Sequence, residues 1–138
     1  MSLHSTNYTD TFIAVTEDCP VQRGTEPPVK AAPTAAYLLY HKIAEHPYAF
    51  TSDELLFSVY AEKRMLKADE LQAERQRFFS VGQPCLRASA LGKTYGWGTH
   101  HDTQGRVALY GAGTDEYDRL QSDPKLTQLK AMRSTRGK

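Results

Sequence analysis

The segment "YGWGTHHDTQGRVALYG" (95–111) holds the densest set of side chains able to do chemistry: two adjacent histidines, a carboxylate, a guanidinium and three large aromatics. Histidine exchanges a proton near neutral pH, and an aromatic face beside a guanidinium suits an anionic or flat molecule through stacking and forked hydrogen bonds. Asp102 is suited to open a tight turn by accepting from backbone N–H groups ahead of it, and Gly105 to supply its left-handed residue. The expected register then sets His101 opposite Arg106, Thr99 opposite Ala108 and Trp97 opposite Tyr110 on one face, with His100/Val107 and Gly98/Leu109 on the other. Adjacent strand residues point to opposite faces, so His100 and His101 are not expected to share a metal. The candidate ligand surface is therefore Trp97, His101, Arg106 and Tyr110, with Arg87 and Lys93 as anion contacts, while His100 is read as structural. The same Trp97/Tyr110 pair would also serve simply to brace a hairpin.

Other chemistries fit less well. A histidine acid/base enzyme could draw on Cys85 or Asp102, although the turn ties up Asp102. "LGKT" (91–94) imitates the end of a phosphate loop, but position 87 is arginine where the pattern needs glycine, and strand follows instead of helix. "GWG" lacks the third glycine of a dinucleotide site. The zinc candidates Cys19, His41, His46, Cys85, His100, His101 and Asp102 are too scattered for the usual ligand patterns, so no metal and no cofactor is expected. The basic end "KAMRSTRGK" could touch phosphate, giving a nucleic-acid-associated alternative without sequence reading, which the rest of the chain does not favour.

The elements that must position these groups divide the chain in two. "TFIAVT" (11–16) reads as a buried strand, and the proline-rich stretch after it as an extended connection. Thr34 caps a helix that Pro47 ends at about His46, and "TSDE" (51–54) is a capping box opening a second helix that buries Leu55, Leu56, Val59 and Tyr60. Asp69 and Gln72 suggest a third helix start, with Phe78 and Phe79 anchoring its end. Beyond Pro84 the period becomes two. "CLRAS" (85–89) is expected as a strand that brings Arg87 to the ligand face, the hairpin follows, and Thr114 caps a short helix. The segment after Pro124 suits either a helix or an edge strand.

The expected fold is α+β: a small, mainly antiparallel sheet with the hairpin in the C-terminal half, and helices packed on one face. At 138 residues the chain is read as one domain over 1–138, with 1–10 and 134–138 flexible. Lys and Arg total 17 against 16 Asp and Glu, so net charge gives no case for a nucleic-acid or membrane-surface protein. Two unpaired-looking cysteines and no long apolar run point to a soluble cytoplasmic protein. The segments "NYTDTFIAVTEDCP", "PCLRASALGKTYGWGTHHDTQGRVALYG" and "AMRSTR" together resemble a family of small bacterial proteins built on a domain of unknown function. The resemblance spans nearly the whole chain and implies a single domain, with no residue assigned a role.

Overall fold

The computed structural model describes residues 4–133. Four strands, β1 (Thr11–Ala14), β2 (Trp97–His101), β3 (Val107–Gly111) and β4 (Thr127–Lys130), form one sheet in the order β3-β2-β1-β4. The β1/β2 and β2/β3 pairs are antiparallel and β1/β4 is parallel. The helices are α1 (Ala35–Glu45), α2 (Ser52–Lys63), α3 (Leu71–Phe78), α4 (Ala90–Lys93) and α5 (Asp115–Gln121). The α+β expectation holds, and the segment after Pro124 is resolved as the edge strand β4. Among the described residues no helix is long and apolar enough to cross a membrane.

Strand alternation sorts the sheet into two faces. Ile13, Thr99, Trp97, His101, Val107 and Leu109 share one. Over it lie α1 and α2, whose Leu39, Ile43, Leu55 and Val59 cluster with Val107, Leu86 and Leu91. Phe12, Gly98, His100, Ala108 and Tyr110 share the other, where Tyr117 of α5 meets Phe12 edge-on with ring centroids 5.1 Å apart. Most helices thus cover one face, and α5 covers part of the opposite one.

Local signals place the helix starts. Thr34 Oγ1 accepts from the Tyr37 N–H at 3.1 Å, and Thr51 and Glu54 form the reciprocal capping box. Replacing Thr34 by alanine is expected to cost about 1 kcal/mol, read as a lowered urea midpoint with an unchanged slope. On α2, Leu55 and Val59 are buried as expected, together with Phe57, while Leu56 and Tyr60 are only half-buried. The capping box lies two residues before the Asp69 signal, at Lys67 and Glu70, and α3 itself starts at Leu71. There the Lys67 N–H donates to Glu70 Oε1, and a single 3-10 turn (Ala68–Glu70) leads into α3. Phe79, 1% exposed, anchors its end.

The segment 85–89 is not a strand. Leu86–Ala88 is a 3-10 turn, and Ser89 Oγ then caps α4 through the Leu91 N–H. Leu86 is the one buried residue of the segment, and the next buried side chain, Leu91 of α4, lies an odd number of positions on, which alternation along a strand does not give. Both long sides of β1 are already taken by β2 and β4. At the chain start, Thr6 and Ser5 bond the Asp53 carboxylate, and the Asp53 N–H donates to Asn7 Oδ1. The remainder of the two ends read as flexible, residues 1–3 and 134–138, lies outside the described residues.

Candidate functional site

The hairpin forms where the sequence places it, but one residue out of the expected register. The Asp102 N–H donates to Arg106 O, the Gly105 N–H to Asp102 O, and the Asp102 carboxylate accepts from the Gln104 and Arg106 N–H groups. Gly105 takes φ +79°, the left-handed residue this turn requires. Asp102 therefore pairs across the turn with Arg106, so the strand partners become His101↔Val107, His100↔Ala108, Thr99↔Leu109, Gly98↔Tyr110 and Trp97↔Gly111. A one-residue slip changes which side chains share a face. Trp97 and Tyr110 consequently stand on opposite faces of the sheet.

The six residues expected to line one surface are dispersed. Trp97 lies under the helix side, its indole N–H donating to Thr25 O at 2.9 Å and its ring 5.4 Å from that of Tyr40. His101 is completely buried: Nε2 bonds Thr99 Oγ1 at 3.0 Å, Tyr8 presses edge-on at 5.5 Å, and Nδ1 has no hydrogen-bond partner. Arg106 is exposed at the turn and bridges through its backbone to Thr51. Arg87 Nε donates to Lys130 O, and Lys93 closes α4. The Cys85 thiol sits 3.2 Å from Tyr8 Oη, and burial together with that contact pushes the Tyr8 phenol up to about 12. In the basic end, Lys130 and Arg133 both pair with Glu17, at 2.8 and 2.7 Å, so these two cations do have a balancing acid.

What the structure does bring together is His100, Tyr48 and Tyr110. Tyr48 Oη lies 2.7 Å from His100 Nδ1 and 2.8 Å from Tyr110 Oη. His100 and Tyr110 reach this point because they share the face that alternation assigns them. Tyr48 arrives from the α1–α2 connection, which runs along the outer edge of β3: its N–H donates to Val107 O, and the Val107 N–H donates to Phe50 O. Tyr48 has φ +60°, a conformation costly for a bulky side chain. Asp10, φ +49°, is held to the same region by its N–H bond to Asp102 O. Two of the three left-handed non-glycine residues among those described therefore flank His100, and such strain gathers where surrounding structure holds a functional geometry.

Burial favours the neutral forms of His100 and Tyr48. Partial burial lowers the His100 pKa from its ordinary value, with the carboxylates of Asp102, Asp123 and Asp10 opposing that shift. Burial and the Tyr110 hydroxyl push the Tyr48 phenol upward. With His100 and Tyr48 neutral, the hydrogen bonds can run either way. Tyr110 can donate to Tyr48 and Tyr48 to His100 Nδ1, leaving the proton on Nε2. Reversed, Nδ1–H donates to Tyr48, Tyr48 to Tyr110, and the Tyr110 hydroxyl donates outward while Nε2 becomes an acceptor. At the Tyr110 end lies a shallow surface cavity of about 200 Å³, shared with Glu116, Arg119 and Leu120. Among the described residues no three His, Cys, Asp or Glu side chains are grouped to hold a metal ion.

A four-stranded mixed sheet with helices on both faces makes this an α+β protein, and a phenol–phenol–imidazole chain lies half-buried on the outer face of that sheet. Residues 3–137 match the model of DUF6157, a family of unknown function, and the chain belongs to that family. No curated protein and no solved structure matches it.

Proposed function

We propose that this protein binds a small carboxylate bearing a hydroxyl or carbonyl group at Tyr110 and Arg119, and exchanges a proton with it through Tyr48 and His100. The observation that carries this reading is Tyr48, held in a left-handed backbone conformation with its hydroxyl bonded at 2.7 and 2.8 Å to the groups on either side. A proton taken up at His100 Nε2 displaces the one on Nδ1 to Tyr48, Tyr48 passes its own to Tyr110, and Tyr110 delivers its proton to the ligand. The trio carries the same charge before and after, which suits a half-buried site where an isolated charge is costly. Arg119 supplies the fork for a carboxylate: its pairing with Glu116, at 4.0 Å, is loose enough to yield. This keeps the anionic-ligand expectation and relocates it, with Tyr110 the one residue common to both versions. The two free cysteines, Cys19 and Cys85, support a reducing, cytoplasmic setting.

The test is NMR of the imidazole nitrogens and tyrosine rings during titration with a panel of small hydroxy- and keto-carboxylates. Binding is expected to shift the Tyr110 ring and the His100 nitrogens together. In Tyr48→Phe the ligand should still move Tyr110 while His100 no longer responds, and Tyr110→Phe should weaken binding by about tenfold, the scale of one lost hydrogen bond. Silence at both ends of the chain across the panel would overturn the reading.

A further inference from the structure

We propose a second ligand site, independent of the first, in the cleft between α1 and α2: a pocket for a primary ammonium carrying a short apolar chain. The cleft encloses about 360 Å³, within the size range of small-molecule sites. Its floor is apolar, made by Leu38 and Leu55, which are 9% and 1% exposed. The lining also holds an exposed aromatic, Phe50, 37% exposed, with the His46 imidazole edge-on to it at 6.2 Å. A large aromatic left open at a cavity rather than packed into the core offers a π-face to a cation.

The charged residues of the lining decide the sign of the ligand. Lys42 is committed to Glu62 at 2.9 Å, and His41 lies between Glu45 at 3.0 Å and Glu26 at 3.4 Å. Glu54 has no cationic partner among the described residues. One of its oxygens, Oε1, accepts from the Thr51 N–H and hydroxyl in the capping box, which fixes the side chain at the cleft. The other oxygen is available to a ligand. An ammonium group can bond it while resting on the Phe50 ring, with the attached chain lying on Leu38 and Leu55. A carboxylate in that position would meet Glu54 with like charge.

The probes are n-hexylammonium, n-hexanol and hexanoate, each titrated into the intact protein and followed by backbone amide shifts. Hexylammonium is expected to bind saturably and to shift amides of residues 38–46 and 50–58, while hexanol binds at least about tenfold more weakly and hexanoate does not bind. Glu54→Gln keeps the capping geometry, because glutamine also serves at that position of the box, and should weaken hexylammonium by about tenfold or more. Phe50→Leu keeps apolar volume but loses the π-face, and should weaken it by about threefold. Equal affinity for hexylammonium and hexanoate, shifts confined to another surface, or full-strength binding by folded Glu54→Gln would each overturn the assignment. Because the probe differs and the amides that decide the test are those of residues 38–46 and 50–58, leaving out Tyr48, failure here leaves the hairpin reading standing, and the reverse.

Discussion

Lowering the pH from 7 to 4 is expected to remove about 3 kcal/mol of stability through one side chain, His101, whose pKa burial depresses from 6.5 to about 4. The imidazole is completely buried, with Nδ1 unsatisfied and Nε2 spent on Thr99. A second proton would therefore charge a ring with no carboxylate against it. The nearby His100 charge works in the same direction, and Asp102 opposes both only weakly. In the unfolded chain the ring protonates near its ordinary value, so between about pH 6.5 and 4 the unfolded state binds more protons and stability falls as pH falls. The contribution is complete above pH 6.5 and gone below pH 4. Urea midpoints measured through this window should drop steadily, with His100 adding to the same slope because its pKa is also lowered. His101→Gln should be less stable at pH 7 yet lose most of the slope. A wild-type midpoint that stays constant from pH 7 to 4.5 would refute the burial account.

That histidine shows where sequence reasoning reached and where it stopped. The turn at Asp102 and Gly105, the caps at Thr34 and Thr51, and the alternation that separates His100 from His101 are local properties, decided within a few residues, and they are legible. The register depends on whether Asp102 belongs to the turn or to the strand, and a single residue there moves Tyr110 opposite Gly98 and Trp97 opposite Gly111. The proline-rich connection and α1 then cover the Trp97 face, so of the two adjacent histidines it is His100, half-buried, that keeps some exposure, while His101 is buried. Tyr48 carries no local signal beyond lying next to Pro47. It meets His100 across 52 residues of sequence, because the α1–α2 connection happens to run along the free edge of β3. Long-range pairing of this kind depends on which strand edge is left open, and that follows from the whole sheet order. The segment 85–89 failed for the same reason: its three apolar residues do not discriminate strand from helical turn, and the sheet had no place beside β1 for it.

The largest single-site effect outside the core is expected at Gly96. With φ +79°, it stands where the connection between β1 and α1 crosses the start of β2, and a Cβ built on it would lie 2.3 Å from the backbone oxygen of Arg23. Alanine there incurs the left-handed penalty of about 1–2 kcal/mol and must also displace backbone, which adds about 1–3 kcal/mol of overpacking strain. A loss of roughly 2–5 kcal/mol is expected for Gly96→Ala from these two terms. Relief by moving the connection has its own consequence. The Thr25 N–H bond to Tyr95 O and the Trp97 indole bond to Thr25 O hold that segment over the tryptophan, and Gly24 lies against the Trp97 ring. Displacing Arg23 pulls all three away and lets water reach the ring. The chain has one tryptophan, so fluorescence reports this site alone, and Gly96→Ala should show a red-shifted native spectrum as well as a lowered urea midpoint. Gly82→Ala is the control. There a Cβ would meet only the His4 ring at 3.9 Å, with no positive φ, and the change should stay within about 0.5 kcal/mol. Equal effects at the two glycines, or a destabilised Gly96→Ala with an unshifted native spectrum, would show that the connection is not held at Gly96.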